Sequence, residues 1–300
     1  MRRLISVRSP LRCWTLTGAG LLGLWLGGCS LTAPLLTIES SPPDDAGSPS
    51  AASASSSASV LWQGSLVGED WMADWGAQAH RSWGFENLAI VTDPAEPFPQ
   101  ILRVFYPAGS ASPSVSRRND IAVGGAQFYA DLDLEPRNAL RLSYYVRFPE
   151  GFDFVKGGKL PGLYGGDPKS GGNIPDGTDG FSTRLMWRRN GDGEVYAYLP
   201  TSDDYGTSIG RGAWRFQRGR WTQVEQAVTL NHPDRADGRI QVWVDGALVI
   251  DEAGLTFRTV DDLQVDGLFF STFFGGGDES WATPRDVSID FADFVITDIE

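Results

Sequence analysis

The chain has 300 residues, 41% of them hydrophobic and 12% aromatic, with 36 glycines and only 3 methionines. That is enough for one large domain or two small ones, and the missing Leu/Ala/Glu/Lys-rich amphipathic runs turn the balance toward β structure with many turns. With 38 acidic against 25 basic residues the formal net charge is −13, which argues against nucleic acid as a partner. A polyanion would have to be met by a local cluster of cations.

Residues 1–29 read as a leader rather than as part of a fold. Arg2, Arg3, Arg8 and Arg12 form a charged start, and Leu16 to Leu26 is an apolar run too short to span a bilayer comfortably. The run ends Leu26-Gly27-Gly28-Cys29, and small residues before a cysteine resemble the bacterial lipobox, in which Cys29 is lipidated after cleavage; an ordinary secretory signal with an incidental cysteine is the alternative. Ser30 and Leu31 follow with no aspartate at the second position, so the resemblance implies anchoring at the outer membrane, on its periplasmic or cell-surface side. Removal of residues 1–28 takes four arginines with it and moves the formal net charge from −13 to −17. Cys13 would go too, so no disulfide can form. Residues 30–59, rich in Ser, Ala and Pro, predict a disordered tether that cannot bury a core. Order is expected from Val60 through residue 300.

From there the pattern predicts strands almost throughout. Ala89–Val91, Ile101–Tyr106 and Gly125–Ala130 are β-rich, and Ala139–Phe148 alternates for ten residues. Trp221–Val228, Arg239–Val244 and Ser288–Ile296 continue the pattern. Asp237-Gly238 and Asp245-Gly246 bracket one strand and offer the positive-φ positions that tight hairpins need. No stretch holds a 3.6-residue period over a dozen residues. Strands at short spacing with glycine turns predict an all-β fold, a concanavalin-like β-jelly roll sandwich of two antiparallel sheets.

Residues 157–200 stand out because they place polar groups on strands. In an extended Phe181–Trp187, Ser182 and Arg184 share one face while Phe181, Thr183, Leu185 and Trp187 share the other. Tyr196 and Tyr198 likewise share a face. With an odd-numbered loop at Asn190-Gly191-Asp192, pairing parity brings Arg184 opposite Tyr198 and onto the face of Tyr196. Lys159 precedes this hairpin in Gly-Gly-Lys-Leu-Pro-Gly-Leu.

A face carrying Lys159, Ser182, Arg184, Tyr196 and Tyr198 suits β-elimination at a uronic acid. The C5 proton beside a charged carboxylate is barely acidic, so a cation must hold that carboxylate and stabilise the developing enolate. A base takes the C5 proton and an acid protonates the O4 leaving group. Tyrosine serves in either role if neighbouring cations lower its pKa. The chemistry needs no metal and no organic cofactor. Without further evidence, a surface ladder of tyrosine and arginine is the competing reading.

The same segments resemble polysaccharide lyase family 14. The resemblance rests on Gly157 to Gly166, Phe181 to Trp187 and Tyr196 to Pro200, and continues through Ile209 to Gly212, Leu230-Asn231, Val242 to Gly246 and Ser271 to Gly276. It implies a β-jelly roll that cleaves alginate or glucuronan. It also implies that Tyr196 and Tyr198 are acid and base in an unassigned order, with Lys159 and Arg184 binding and neutralising the carboxylate and Ser182 in the binding set. Gln127 is a candidate donor to the carboxylate, and Trp281 a candidate stacking platform or a core-edge residue. The implied partner is an acidic polysaccharide, met by a monomer.

Other constellations are thin. Only His80 and His232 exist, too few for a zinc site or a Ser-His-Asp triad, although His80 stays a possible base. The Asp167–Asp179 loop is acidic enough for calcium but lacks EF-hand spacing. Two alternatives remain: a non-catalytic carbohydrate-binding jelly roll, and a glycoside hydrolase, which would want paired carboxylates that no strand here displays.

Overall fold

The computed structural model describes residues 59–299. The expected leader, Cys29 and all but the last residue of the expected tether lie outside them. The described chain forms β1 (Val60–Gln63), a one-turn helix α1 (Trp71–Asp74), β2 (Ala77–Trp83), β3 (Leu88–Val91), β4 (Ile101–Tyr106), a short helix α2 (Pro113–Arg118), β5 (Ala126–Asp131) and β6 (Ala139–Arg147). It continues with β7 (Gly157–Gly166), β8 (Gly180–Arg188), β9 (Gly193–Tyr198), β10 (Thr207–Ile209), β11 (Trp221–Thr229), β12 (Gly238–Val244), β13 (Ala247–Leu255), β14 (Gly267–Phe274) and β15 (Val287–Asp298). The architecture is the expected jelly roll of two antiparallel sheets. One sheet runs β13-β12-β11-β6-β15-β4-β3 with β1 on β15, the other β10-β9-β8-β7-β14-β5-β2.

The alternation read in β6 is the observed burial: Leu140, Leu142, Tyr144 and Val146 are buried and their neighbours are not. They meet Leu160, Leu163, Phe181, Leu185, Trp187 and Phe270 of the other sheet in one core. Each such side chain contributes about 1.5–3 kcal/mol through apolar area removed from water. Beneath one end of the second sheet, Phe148, Phe152, Trp187 and Phe274 pack edge-to-face and stacked, with ring centroids 4.9–5.9 Å apart.

Two turn expectations need correction. Asp245-Gly246 is a tight hairpin with φ of 48° and 79°, joining β12 to β13. Asp237-Gly238 is not one. Gly238 has no positive φ and opens β12, while the Asp237 carboxylate accepts from the His232 backbone N–H at 2.8 Å and closes a longer loop. The β8–β9 turn is also one residue earlier than expected. Arg188 N–H donates to Asp192 C=O, leaving Arg189-Asn190-Gly191 as the loop, with Asn190 and Gly191 at φ 63° and 83°. Arg184 therefore pairs with Tyr196, and Ser182 with Tyr198. The loop is still odd-numbered, so the expectation that all four share a face holds.

One irregularity positions the site. Lys159 pairs with Met186 and Leu160 with Leu185, but the next pair is Gly162 with Arg184, so Pro161 is an extra residue in β7. Proline has no N–H for the ladder and is tolerated at such a bulge. Lys159 and Tyr164 are five positions apart and would face opposite ways in a regular strand; the extra residue puts both on the outer face. The groups loosened by the bulge find partners across the core: Tyr144 OH donates to Pro161 C=O at 3.1 Å, and Leu163 N–H donates to Gln226 Oε1 at 3.2 Å. Gln226 Nε2 donates to Thr183 C=O at 2.6 Å, tying β7 and β8 to the opposite sheet.

Candidate active site

The outer face of β7, β8, β9, β14 and β5 carries the expected polar set. Arg184 is 2% exposed and Lys159 9% exposed. Neither makes an ion pair among the described residues. Arg184 Nη1 donates to Ser271 Oγ at 3.1 Å, and Ser271 Oγ donates to Gln127 Oε1 at 3.1 Å. Its guanidinium carbon lies 4.7 Å from the Phe269 ring centroid and 6.0 Å from that of Tyr198, while its Nε has no partner. Lys159 Nζ sits 3.1 Å from Met186 Sδ and 4.4 Å from the Tyr196 centroid.

Burial without a counter-ion has an electrostatic consequence. Loss of hydration, reinforced by the charges of Arg184 and Arg188, holds the Lys159 amine well below its ordinary pKa; Glu194 opposes this more weakly. Burial lowers Arg184 too, but a guanidinium stays protonated. Beside the tyrosines lie one guanidinium that keeps its charge without an ion pair among the described residues and one amine whose pKa is depressed. Two desolvated nitrogen groups with no ion pair among the described residues favour an anion.

The tyrosines differ from each other. Tyr198 is buried, and its oxygen accepts from Gly172 N–H at 3.2 Å. Tyr196 is half-buried and its ring meets Tyr198 edge-on at 5.7 Å. The expected lowering of a tyrosine pKa by adjacent cations is not what Tyr196 shows. Burial and the neighbouring Tyr198 push its phenol up to about 12, against the opposing influence of Arg188 and Arg184. A Cβ on Gly206 would lie 2.8 Å from the Tyr198 ring and 2.9 Å from the Tyr196 ring, so a bare backbone packs against the pair.

The remaining expected residues divide. Ser182 Oγ donates to Lys169 C=O at 2.7 Å, so with Tyr198 it fastens the 167–179 loop across this face. Gln127 is spent at both ends, accepting from Ser271 and donating to Arg81 C=O at 3.2 Å, which places it behind Arg184. Trp281 is half-buried, with the Arg188 guanidinium 5.9 Å from its ring. His80 lines a hollow of about 190 Å³ with Arg81, Tyr129 and Tyr164. Of the loop carboxylates considered for calcium, Asp167 is engaged by Arg81 and Lys169 and Asp179 by Lys169 at 2.5 Å, while Asp176 accepts from the Thr178 backbone N–H and hydroxyl at 2.8 and 2.7 Å.

Several contributors escaped the sequence reading. Ser271 links Arg184 to Gln127. Glu194, fully buried, accepts from Arg188 Nε at 2.7 Å and Ser208 Oγ at 2.5 Å, which neutralises Arg188 beside Tyr196. Tyr129, Tyr164 and Phe269 form a separate apolar cluster flanking Arg184. Alternation along β14 flags Ser271 as a partner of Phe269 and Phe273 on the outer face, but nothing local indicates its contact with Arg184.

The family model "Polysaccharide lyase 14" matches residues 95–294. Curated protein sequences yield no match. Among solved structures, the fold is similar to the marine PL-14 alginate lyase from Aplysia kurodai, with 32% identity over 80% of this chain and 99% of that one and a TM-score of 0.69. It is also similar to alginate lyase vAL-1 from Chlorella virus, at 21% identity, 80% and 100% coverage and a TM-score of 0.66. Alginate lyase Aly36B follows at 24% identity, 76% and 89% coverage and a TM-score of 0.62; variants of it have been solved with an alginate trisaccharide and tetrasaccharide.

Proposed function

Since the chain belongs to polysaccharide lyase family 14 and is a polysaccharide lyase, we propose that it cleaves alginate, with glucuronan as a second candidate polymer, by metal-independent β-elimination on the face described above. The observation that carries this is the pair Arg184 and Lys159, buried beside two tyrosines and making no ion pair among the described residues. The Aplysia enzyme's activity on alginate supports the choice of polymer.

Arg184 binds the uronate carboxylate and stabilises the enolate that grows on it. Lys159, with its amine pKa held down by burial, takes the C5 proton onto Nζ. The C4–O4 bond then breaks as the C4–C5 double bond forms, and Tyr196, which keeps its proton to about 12, protonates O4. Tyr198 holds the loop through Gly172 and borders the carboxylate site. This moves Lys159 from neutralising the carboxylate to accepting the proton.

Incubation with alginate and with glucuronan, followed in the ultraviolet for the unsaturated uronate, tests the reading. Product formation that survives a chelator and is lost in Arg184→Ala is the expected result. Polymer binding with no unsaturated product, or Arg184→Ala at full rate, would overturn it. We also propose that the monomeric enzyme is held at the outer membrane by a lipid on Cys29, on the strength of the Leu-Gly-Gly-Cys sequence. Labelled fatty acid should enter the wild type and not Cys29→Ala; equal labelling would refute the anchor.

A further inference from the structure

Past Trp281 the surface opens into a pocket of about 390 Å³ that the elimination chemistry does not use. Its walls come from four separate segments: Asp153 to Lys156 ahead of β7, Arg189 and Asn190 in the β8–β9 turn, Arg218 ahead of β11, and Ser280 after β14. Three cations line it in a chain whose overall charge is strongly negative. Arg218 is held in place, its Nε donating to Phe152 C=O and its guanidinium stacked 4.8 Å from the Phe154 centroid. Its terminal nitrogens stay available as a fork. Neither Arg189 nor Arg218 makes an ion pair among the described residues. Two carboxylates lie nearby and both are occupied locally: Asp153 accepts from Val155 N–H at 2.9 Å, and Asp278 from Ser280 N–H at 2.9 Å and from the Ser280 hydroxyl. Lys156 Nζ donates to that same hydroxyl.

The pocket is continuous with the site through one ring. Arg188 lies 5.7 Å from the Tyr196 centroid and 5.9 Å from that of Trp281, and Lys156 Nζ lies 5.8 Å from the same Trp281 ring. That ring rests on Gly276, where a Cβ would come within 2.1 Å of it, so its position is fixed. Cation, flat ring and cations in succession match a polymer with one sugar face and one carboxylate per residue.

We propose that this pocket is a second carboxylate-binding subsite, in which Arg189 and Arg218, with Lys156, hold a uronate further along the same polymer chain and Trp281 supports the sugar between. It rests on the reading of the substrate as a polyuronate. The subsite makes affinity depend on chain length while leaving the chemical step untouched.

Steady-state kinetics of Arg189→Ala/Arg218→Ala on size-fractionated alginate tests this. Both residues are exposed and outside the core, and a thermal melt confirms the fold. The expected result is a KM for long polymer raised about tenfold with kcat unchanged. The shortest oligomer still cleaved should show no change, and the difference should vanish near 1 M salt, where screening acts over ~3 Å. The reversed pair Arg189→Glu/Arg218→Glu should raise KM further. Equal effects on polymer and shortest oligomer, or none on either, would overturn the subsite. Calorimetry separates this from failure of the lyase reading. A wild type that turns over no polyuronate yet binds it more tightly than the double variant keeps the subsite and loses the reaction, whereas equal affinities refute the subsite.

Discussion

Lys159→Met replaces a buried amine with an apolar side chain of similar length, and two opposite outcomes are expected from it. Lys159 Nζ has no ion pair among the described residues and lies against the Met186 sulfur and the Tyr196 ring. It feels two nearby arginines more strongly than Glu194, so its charge is a poorly compensated burden on the fold. Replacing buried charge with well-packed apolar atoms commonly stabilises by about 1–4 kcal/mol, which in a domain of this size raises Tm by roughly 2–16 °C. The sign with pH follows from the lowered amine pKa. Below the ordinary value of 10.5 the unfolded chain binds a proton that the folded one tends to release, so wild-type stability rises with pH across that window. The advantage of Lys159→Met should therefore be greatest at acidic pH, persist at neutral pH and vanish as pH approaches 10.5. Activity should fall by about 10²–10⁴, the contribution of a positioned general base. Thermal melts from pH 5 to about 10, with initial rates on alginate, read both. A variant no more stable than wild type at neutral pH would show that the amine is not an unpaired buried charge, and one that keeps its rate would remove Lys159 as the base.

Ser271→Ala takes away the hydroxyl that receives Arg184 Nη1 and should lower kcat/KM five- to tenfold, about 1 kcal/mol; rescue by Ser271→Thr and an unshifted pH profile would mark positioning rather than proton transfer. Gly206→Ala pushes a methyl against both tyrosine rings and should lower kcat ten- to a hundredfold with little change in Tm, because small displacements of reacting groups are costly. An unchanged kcat would show that the rings yield freely. Asn231→Ala strands the Phe257 and Arg258 backbone N–H groups, which Asn231 Oδ1 accepts at 2.7 and 3.0 Å inside the fold, and should cost about 2–6 kcal/mol in denaturant melts. A loss under 1 kcal/mol would mean that water replaces the amide.

How much could be read in advance depended on how a strand meets its surroundings. β6 buries one face, so its alternation was visible and its limits fell within a residue of the expected ones. β8 is buried on both faces, yet Ser182 and Arg184 between Phe181, Thr183 and Leu185 betrayed its two sides, because polar residues there cannot face the core unpaired. β7 concealed its geometry. The bulge at Pro161 shows in sequence only as a proline, and nothing local says that it brings Lys159 and Tyr164 to one face. β2 is mostly exposed at a sheet edge and showed no alternation, so Arg81 and its pairing with Asp167 went unseen. The β8–β9 register slipped by one pair because Asn190 and Gly191 supply the turn conformations, and either could be its centre. Residue types on the site face were readable; their lack of counter-ions was not, since an absent partner is a property of the whole fold.

That absence is selective, and the other sheet shows it by contrast. On the outward face of β4, β6, β11, β12 and β15 the arginines are matched with acids: Arg103 with Asp290 at 2.7 Å, Arg147 with Glu96 and Asp290 at 2.7 and 2.8 Å, Arg141 with Glu225 at 3.5 Å and Arg239 with Asp251 at 2.6 Å. Arg147 and Arg141 also stack on Trp221 and Trp243, so that face gives each of these cations an acid and leaves little for a polyanion to gain. An acidic chain has carboxylates to spare and places them there. Across the core, Arg184 and Lys159 are more deeply buried than any of these arginines yet are given hydroxyl, sulfur and aromatic neighbours instead. Burial raises the cost of an unpaired charge, so a fold optimised only for stability would have reversed the arrangement. The carboxylate missing beside Arg184 and Lys159 is the one the substrate brings.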